Sequence, residues 1–283
     1  MIKTARQLKD KIRNLSGSNS QKAQSLIRNY IMEEFLIRLS KSQYKNNFIL
    51  KGGMLVSSIA GINNRATMDI DTTVKAINLS EDEAYEIIAD ICNVDIEDNI
   101  IFHIVSVSDI MEEHDYPGIR FMLETKLENL VQPVKIDIST GDVITPGAIE
   151  YSYKPMFDNE PIDIMSYNIE TLLAEKLETV VSRGIENTRM RDFYDIHILM
   201  QTVDIDLEVL KSAFNATVSK RGSEENLRFA DKTFEALKSN SNLITNWSNY
   251  CKSSWFIDEL SWNTVLESAY ELYMKICPGI FTD

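Results

Sequence analysis

The sequence predicts an α+β protein, with a mixed-sheet N-terminal domain over residues 1–163 and a helical domain over residues 164–283. Three observations carry this. Short apolar runs at strand spacing fall before Gly141. Helical periodicity dominates from Asn168 onward. Between them, Gly141 to Asp163 contains Pro146, Pro155 and Pro161 and reads as a long connection.

The first 45 residues are expected to be helical. Leu26, Ile27, Tyr30, Ile31, Phe35 and Leu39 recur at helical spacing, with Arg28, Glu33, Glu34 and Arg38 between them. Phe48-Ile49-Leu50 reads as a strand, Lys51-Gly52-Gly53 as a turn, and Met54 to Ala60 as a short helix ended by Gly61. Arg65 to Lys75 contains an alternating strand. Leu79-Ser80-Glu81-Asp82-Glu83 starts a helix running to about Cys92, with Ser80 and Glu83 at capping-box spacing. Ile100 to Val107, Ile119 to Leu127 and Val131 to Ile138 read as strands. A cleft is expected between the two domains. Trp247, Trp255 and Trp262 belong to the helical half, where nothing basic interleaves them; they read as core.

Composition narrows the function classes. With 44% hydrophobic and 25% charged residues the chain is that of a globular protein. No run approaches the roughly 18 apolar residues a membrane span needs, and the charged N-terminus does not look like a secretory signal. Cys92, Cys251 and Cys277 are scattered and odd in number, which points to a reducing cytoplasm and to no disulfide framework or zinc spacing. The net charge of −14 argues against a broad basic nucleic-acid surface, though not against transient binding of an RNA end.

In Met68-Asp69-Ile70-Asp71-Thr72-Thr73-Val74, strand alternation puts Asp69, Asp71 and Thr73 on one face. Two carboxylates on one face repel each other unless a cation lies between them. Magnesium is suited to this, since it takes one or two carboxylates plus substrate phosphates, and two-metal sites clamp attacking and leaving oxygens. The plain alternative is an acidic solvent face. Sixteen residues before Asp69, Gly53 closes a Gly pair that opens a helix, where backbone amides can approach a phosphate; Lys51 adds charge beside the turn. In Val134-Lys135-Ile136-Asp137-Ile138-Ser139, Asp137 faces away from the core and could join Asp69 and Asp71 as a metal ligand or proton acceptor. Between Asn168 and Ser182, Lys176 lies inside the apolar stripe of Ile169, Leu172, Leu173, Leu177 and Val180. A lysine there needs a partner, snorkels, or reaches a triphosphate. Asp192 and Asp195 share a face of the next helix. Asp192 could orient Lys176, act as a base, or merely complement the helix dipole. Arg183, Arg189 and Arg191 cluster nearby and could contact substrate phosphates or form a solvated surface.

The ordered set Lys51-Gly52-Gly53, Arg65-x-Thr67-x-Asp69-Ile70-Asp71, Leu173-Ala174-Glu175-Lys176-Leu177 and Arg189-x-Arg191-Asp192-Phe193-Tyr194-Asp195 resembles the AbiEii family of nucleotidyltransferase toxins. The resemblance implies a DNA polymerase β-like nucleotidyltransferase domain and a toxin of type IV toxin–antitoxin or phage abortive-infection systems. It implies NTP as substrate, with GTP or pyrimidine triphosphates used by relatives, and two magnesium ions at the metal ligands. It implies transfer of a nucleoside monophosphate to an acceptor such as a tRNA 3′ end. By the resemblance Asp69 and Asp71 are metal ligands, Lys176 holds the triphosphate, and Asp192 is a further catalytic acid. Asp137 is a candidate catalytic carboxylate, and Lys51, Gly52, Gly53 and Arg65 are candidate nucleotide-binding residues. Met54 stands where the family usually has Ser or Thr, which removes a hydroxyl contact to phosphate. The alternative is a regulatory protein that binds nucleotide without transfer. A cognate antitoxin is expected to be genetically linked, without a stable complex.

Overall fold

The computed structural model describes residues 2–76, 80–110 and 118–277; Leu79 of the expected helix start lies outside them. The chain divides into two compact units. One comprises Met1–Asp142 and Ala148–Tyr167, the other Val143–Gly147 and Asn168–Asp283.

The first unit begins with α1 (Ala5–Ser16) and α2 (Ser20–Lys41). The chain continues through β1 (Phe48–Lys51), α3 (Gly52–Ala60), β2 (Asp69–Val74) and α4 (Glu81–Cys92) to β3 (Ile101–Ile110), β4 (Gly118–Leu127) and β5 (Leu130–Thr140). β6 (Ile149–Tyr153) and β7 (Ile162–Ser166) complete one seven-stranded sheet in the order β3-β4-β5-β2-β1-β7-β6. β2–β5 and β1–β7 are parallel and the other neighbours antiparallel, so the sheet is mixed as expected. The capping box forms: the Ser80 hydroxyl accepts from Glu83 N–H, and the Glu83 carboxylate accepts from Ser80 N–H.

One expectation is corrected here. The proline-rich segment is not a plain connection: it carries the antiparallel pair β6–β7, and β7 lies beside β1. Pro155 and Pro161 fall between these two strands, where the missing N–H costs no ladder bond. α2 carries three charged residues between its apolar positions, Glu33, Glu34 and Arg38. All three are buried, because α2 packs on β5, β7 and α4 rather than lying on the surface.

These buried charges are matched by polar partners. Arg38 forks onto Asp98 at 2.8 and 2.7 Å and donates to the Glu34 and Ile100 carbonyls. Glu33 accepts from Asn29 Nδ2 (2.7 Å), Tyr153 OH (3.2 Å) and Met156 N–H (3.0 Å). Burial nevertheless pushes the Glu33 carboxyl up to about 8 and, with Asp98 adjacent, Glu34 up to about 7. Both folded-state values lie above the unfolded one, so the native state binds more protons between them. The stability this contributes is full below about pH 4.5 and is lost as pH rises through about 7 to 8. Urea unfolding at pH 5.5 and 8.5 should therefore give the lower stability at pH 8.5, and Glu33→Gln should flatten the slope. An unchanged slope in that variant contradicts the assignment.

From Ile169 the regular elements of the second unit are all helices among the described residues: α5 (Ile169–Arg183), α6 (Met190–Thr202), α7 (Leu207–Arg221), α8 (Glu224–Leu227), α9 (Ala230–Ser239), α10 (Ser241–Ser253) and α11 (Trp262–Ile276), with a 3₁₀ turn at Gly184–Glu186. Asn168 caps α5 through Thr171 N–H (2.7 Å), and its amide donates to the Thr145 carbonyl (2.7 Å). This tie explains why residues 143–147 belong with the helices. Trp247 and Trp262 are core as expected: both are buried, with indole N–H groups donated to the Leu260 and Leu237 carbonyls, whereas Trp255 is only half-buried and departs from that expectation.

Candidate active site

The carboxylates meet because of register. In the parallel pair β2–β5, Asp71 stands opposite Asp137 and Asp69 opposite Lys135; in the antiparallel pair β1–β2, Lys51 stands opposite Asp71. Neighbouring strands are about 4.8 Å apart and alternate residues share a face. One oxygen from each of Asp69, Asp71 and Asp137 accordingly lies within 4.8 Å of the other two. Asp69 is buried and accepts from the Thr67 hydroxyl at 3.2 Å.

Cations meet these acids from within the same sheet. Lys135 Nζ lies 2.6 Å from Asp69 Oδ2 and 3.5 Å from Asp137 Oδ2. Arg120 on β4, opposite Asp137 in register, grips both of its oxygens, with Nε to Oδ1 and Nη2 to Oδ2 each 2.8 Å. Burial alone would lower the Lys135 amine, but its hydrogen bond to Asp69 and the charges of Asp69 and Asp137 raise it. Burial lowers Arg28 of α2, and the charge of Asp69 partly offsets this.

The Gly pair has a concrete reason. Gly52 adopts φ +66°, and a Cβ there would lie 2.1 Å from Asp71 Oδ2. A Cβ on Gly53 would lie 2.5 Å from the Thr67 hydroxyl and 3.2 Å from Arg65 Nη2. Arg65 is buried beside Gly53, and Met54 is wholly buried in the core. Lys51 extends to Asp142 (2.6 Å), whose same oxygen also accepts from Ser139 and Tyr167. Burial opposes the charge on Asp142, but Lys51 and the Ser139 and Thr73 hydroxyls hold it below the usual carboxylate range. Gly52→Ala should combine roughly 1–2 kcal/mol of left-handed backbone strain with displacement of Asp71. A lower melting temperature together with weakened divalent-ion binding is expected; normal ion binding in this variant counts against the close approach mattering.

Within the helical unit, Lys176 does find partners. Its Nζ lies 3.0 Å from Asp192 Oδ1 and 2.8 Å from Asp195 Oδ2, and Arg189 Nε lies 2.7 Å from Asp192 Oδ2. Lys176 is 7% exposed and both aspartates 0%, so the lysine does not snorkel. Burial would raise the Asp192 carboxyl, but Lys176, Arg189 and Arg191 hold it well below the usual range. Arg189 is placed by the preceding loop, where its N–H donates to buried Asn187 (2.7 Å).

Residues 34–268 match the family described as nucleotidyl transferase AbiEii toxin, type IV toxin–antitoxin system. The chain belongs to this family. The AbiEii match spans both units and all the motifs above. Among solved structures, the AbiEii chain is similar in fold to JHP933 from Helicobacter pylori, with TM-score 0.52 and 17% identity over 89% of this chain and 90% of that one. It is also similar to a candidate nucleotidyltransferase from H. pylori, with TM-score 0.50 and 18% identity over 89% and 93%. At such identities the likeness shows the fold. No curated protein matches the sequence. Family and fold together make the chain a nucleotidyltransferase-type toxin with a mixed-sheet domain and a helical C-terminal region. No helix among the described residues is long and apolar enough to cross a membrane.

Four residues at these clusters escaped sequence reasoning as site members. Lys135 was visible, two residues before Asp137 on the same face. Asp195 was visible as the face-mate of Asp192. Asp142 and Arg120 carried no local signal; Arg120 comes to Asp137 only through the β4–β5 register.

Proposed function

We propose that this AbiEii-family chain is a magnesium-dependent toxin that transfers a nucleoside monophosphate from an NTP to an RNA 3′ end, such as that of tRNA. The reading includes a cytoplasmic role in phage abortive infection, with a genetically linked antitoxin that forms no stable complex with it. The observation that carries it is the convergence of Asp69, Asp71 and Asp137 on one face of adjacent strands. The donor set fits the ion: magnesium binds oxygen at about 2.0–2.1 Å, so opposite ligands sit about 4.2 Å apart, within the spread of these three oxygens.

When bound, magnesium would neutralise and orient the triphosphate. Asp69 and Asp71 would each present it an oxygen, and Thr67 steadies Asp69. The first-turn amides of α3 are donors suited to an anion, and Gly52 lets this turn run against Asp71. With Met54 in the core, these backbone donors replace the hydroxyl that relatives have at that position. In the reaction the acceptor hydroxyl oxygen attacks the α-phosphorus and the bond to pyrophosphate breaks. The hydroxyl proton passes to a carboxylate. Asp137 is suited to receive it once one of its two Arg120 bonds loosens. In the helical unit, Lys176 with Arg189 and Arg191 offers cationic donors for a triphosphate. Buried Asp192 fits the task of orienting Lys176 better than that of a base.

The test is incubation of the protein with each α-labelled NTP, Mg²⁺ and total RNA. Label in a tRNA-sized band, abolished by EDTA, is expected. No transfer from any NTP by folded protein overturns the reading. Nucleotide binding without transfer supports instead a regulatory nucleotide-binding protein.

A further inference from the structure

We infer that Lys135 is a tethered competitor of the divalent ion for Asp69, and so sets how strongly the carboxylate cluster binds metal. This rests on the metal reading of Asp69 and Asp71 proposed above. Three observations support it. Lys135 is the register partner of Asp69 across β2–β5, so strand alternation gives both side chains the same face. Its Nζ lies 2.6 Å from Asp69 Oδ2, close enough that a cation taking that oxygen competes with it for the same negative charge. And its placement is asymmetric: the Lys135 side chain is 27% exposed while that of Asp69 is 5%. The lysine's flexible stem can swing to solvent, whereas the carboxylate cannot.

Arg120 makes the exchange tolerable for Asp137. Lys135 is the more distant of that residue's two cations, at 3.5 Å against the two 2.8 Å bonds from Arg120. When the lysine leaves, Asp137 keeps its bidentate partner and Asp69 exchanges one cation for another. Lys135 would then disfavour weakly held free ions, and an ion arriving with nucleotide phosphates, which add oxygen ligands of their own, would displace it more readily.

The test is titration of the full chain with Mn²⁺, free ion being counted by electron paramagnetic resonance at fixed ionic strength without nucleotide. Lys135→Met should bind Mn²⁺ roughly two- to fivefold more tightly than the wild type, the upper part of the range expected from removing one partly exposed ion pair. Lys126→Met removes the same charge from an exposed pair with Glu124 on β4 and should stay within about twofold of wild type. Equal or weaker binding by Lys135→Met, or equal tightening by Lys126→Met, overturns the inference and leaves the metal reading standing. Absence of Mn²⁺ binding in folded wild type and folded Lys135→Met overturns both. The wild type supplies a second measurement that needs no variant. Acetylation of the Lys135 amine, followed by mass spectrometry, should rise as Mn²⁺ saturates the protein. Labelling that falls or stays constant contradicts displacement.

Discussion

Asp69→Asn should leave a folded protein with roughly a thousandfold less nucleotidyl transfer. The substitution keeps the shape of the side chain and removes only its charge. Asp69 is buried, 4% exposed, and its surroundings are built for an anion: the Thr67 hydroxyl donates to one oxygen and Lys135 to the other. A metal contributes several kcal/mol of charge stabilisation in the transition state. Losing about 4 kcal/mol of it corresponds, at about 1.4 kcal/mol per tenfold, to roughly 10³ in rate. The fold should survive, because Asp69 lies in a strand whose ladder does not depend on its side chain, and Lys135 retains Asp137 within 3.5 Å. Far-ultraviolet circular dichroism should be unchanged, Mn²⁺ binding weakened and kcat lowered, and growth arrest on expression should disappear. A folded variant that keeps more than a tenth of wild-type transfer would sink the assignment of Asp69 as a metal ligand.

Much of this site was legible because it rests on short-range rules. Strand alternation alone put Asp69 with Asp71 and Lys135 with Asp137, and helical periodicity alone put Lys176 on a buried face. The strand-to-helix turn showed in its glycines, although what crowds Gly52 is the Asp71 side chain itself. What was missed depends on pairings that no local pattern encodes. Arg120 faces Asp137 because Leu127 pairs with Leu130 across a two-residue turn, Glu128-Asn129. Glu128 adopts φ +53° there, a conformation usually signalled by glycine or asparagine, so the hairpin register carried no sequence flag. The burial of Glu33 and Glu34 was hidden for another reason. A helix covered on several sides buries residues that fall between the apolar stripes of an amphipathic pattern, and only the tertiary arrangement shows which partners await them. The proline-rich segment misled in the same way, since its two short strands gain their stability from β1 and from each other rather than from their own composition.

Lys176→Met tests the helical unit through its electrostatics. The lysine is the shared partner of two fully buried carboxylates, at 3.0 Å from Asp192 and 2.8 Å from Asp195. Removing one member of a buried pair leaves uncompensated charge and typically costs about 3–5 kcal/mol. Arg189 remains beside Asp192 and softens that loss on one side, whereas Asp195 loses an ion-pair partner outright. The loss should depend on pH, and its direction follows from the protonation states. In the wild type the Asp192 carboxyl is held below its ordinary value, so its stabilising contribution is present at neutral pH and declines as pH falls below about 4. In the variant, burial no longer has the lysine to oppose it, and the Asp192 carboxyl takes up its proton at higher pH than before. The stability gap between wild type and Lys176→Met should therefore be widest at pH 7 and above and should narrow toward pH 4. Lys176→Arg, which keeps the charge, should recover much of the gap. Denaturant unfolding of the three proteins at pH 7 and pH 4.5 gives the answer. A gap that is the same at both pH values would mean that the lysine acts through packing of its stem, and the ion cluster would then not be what holds α5 and α6 in register.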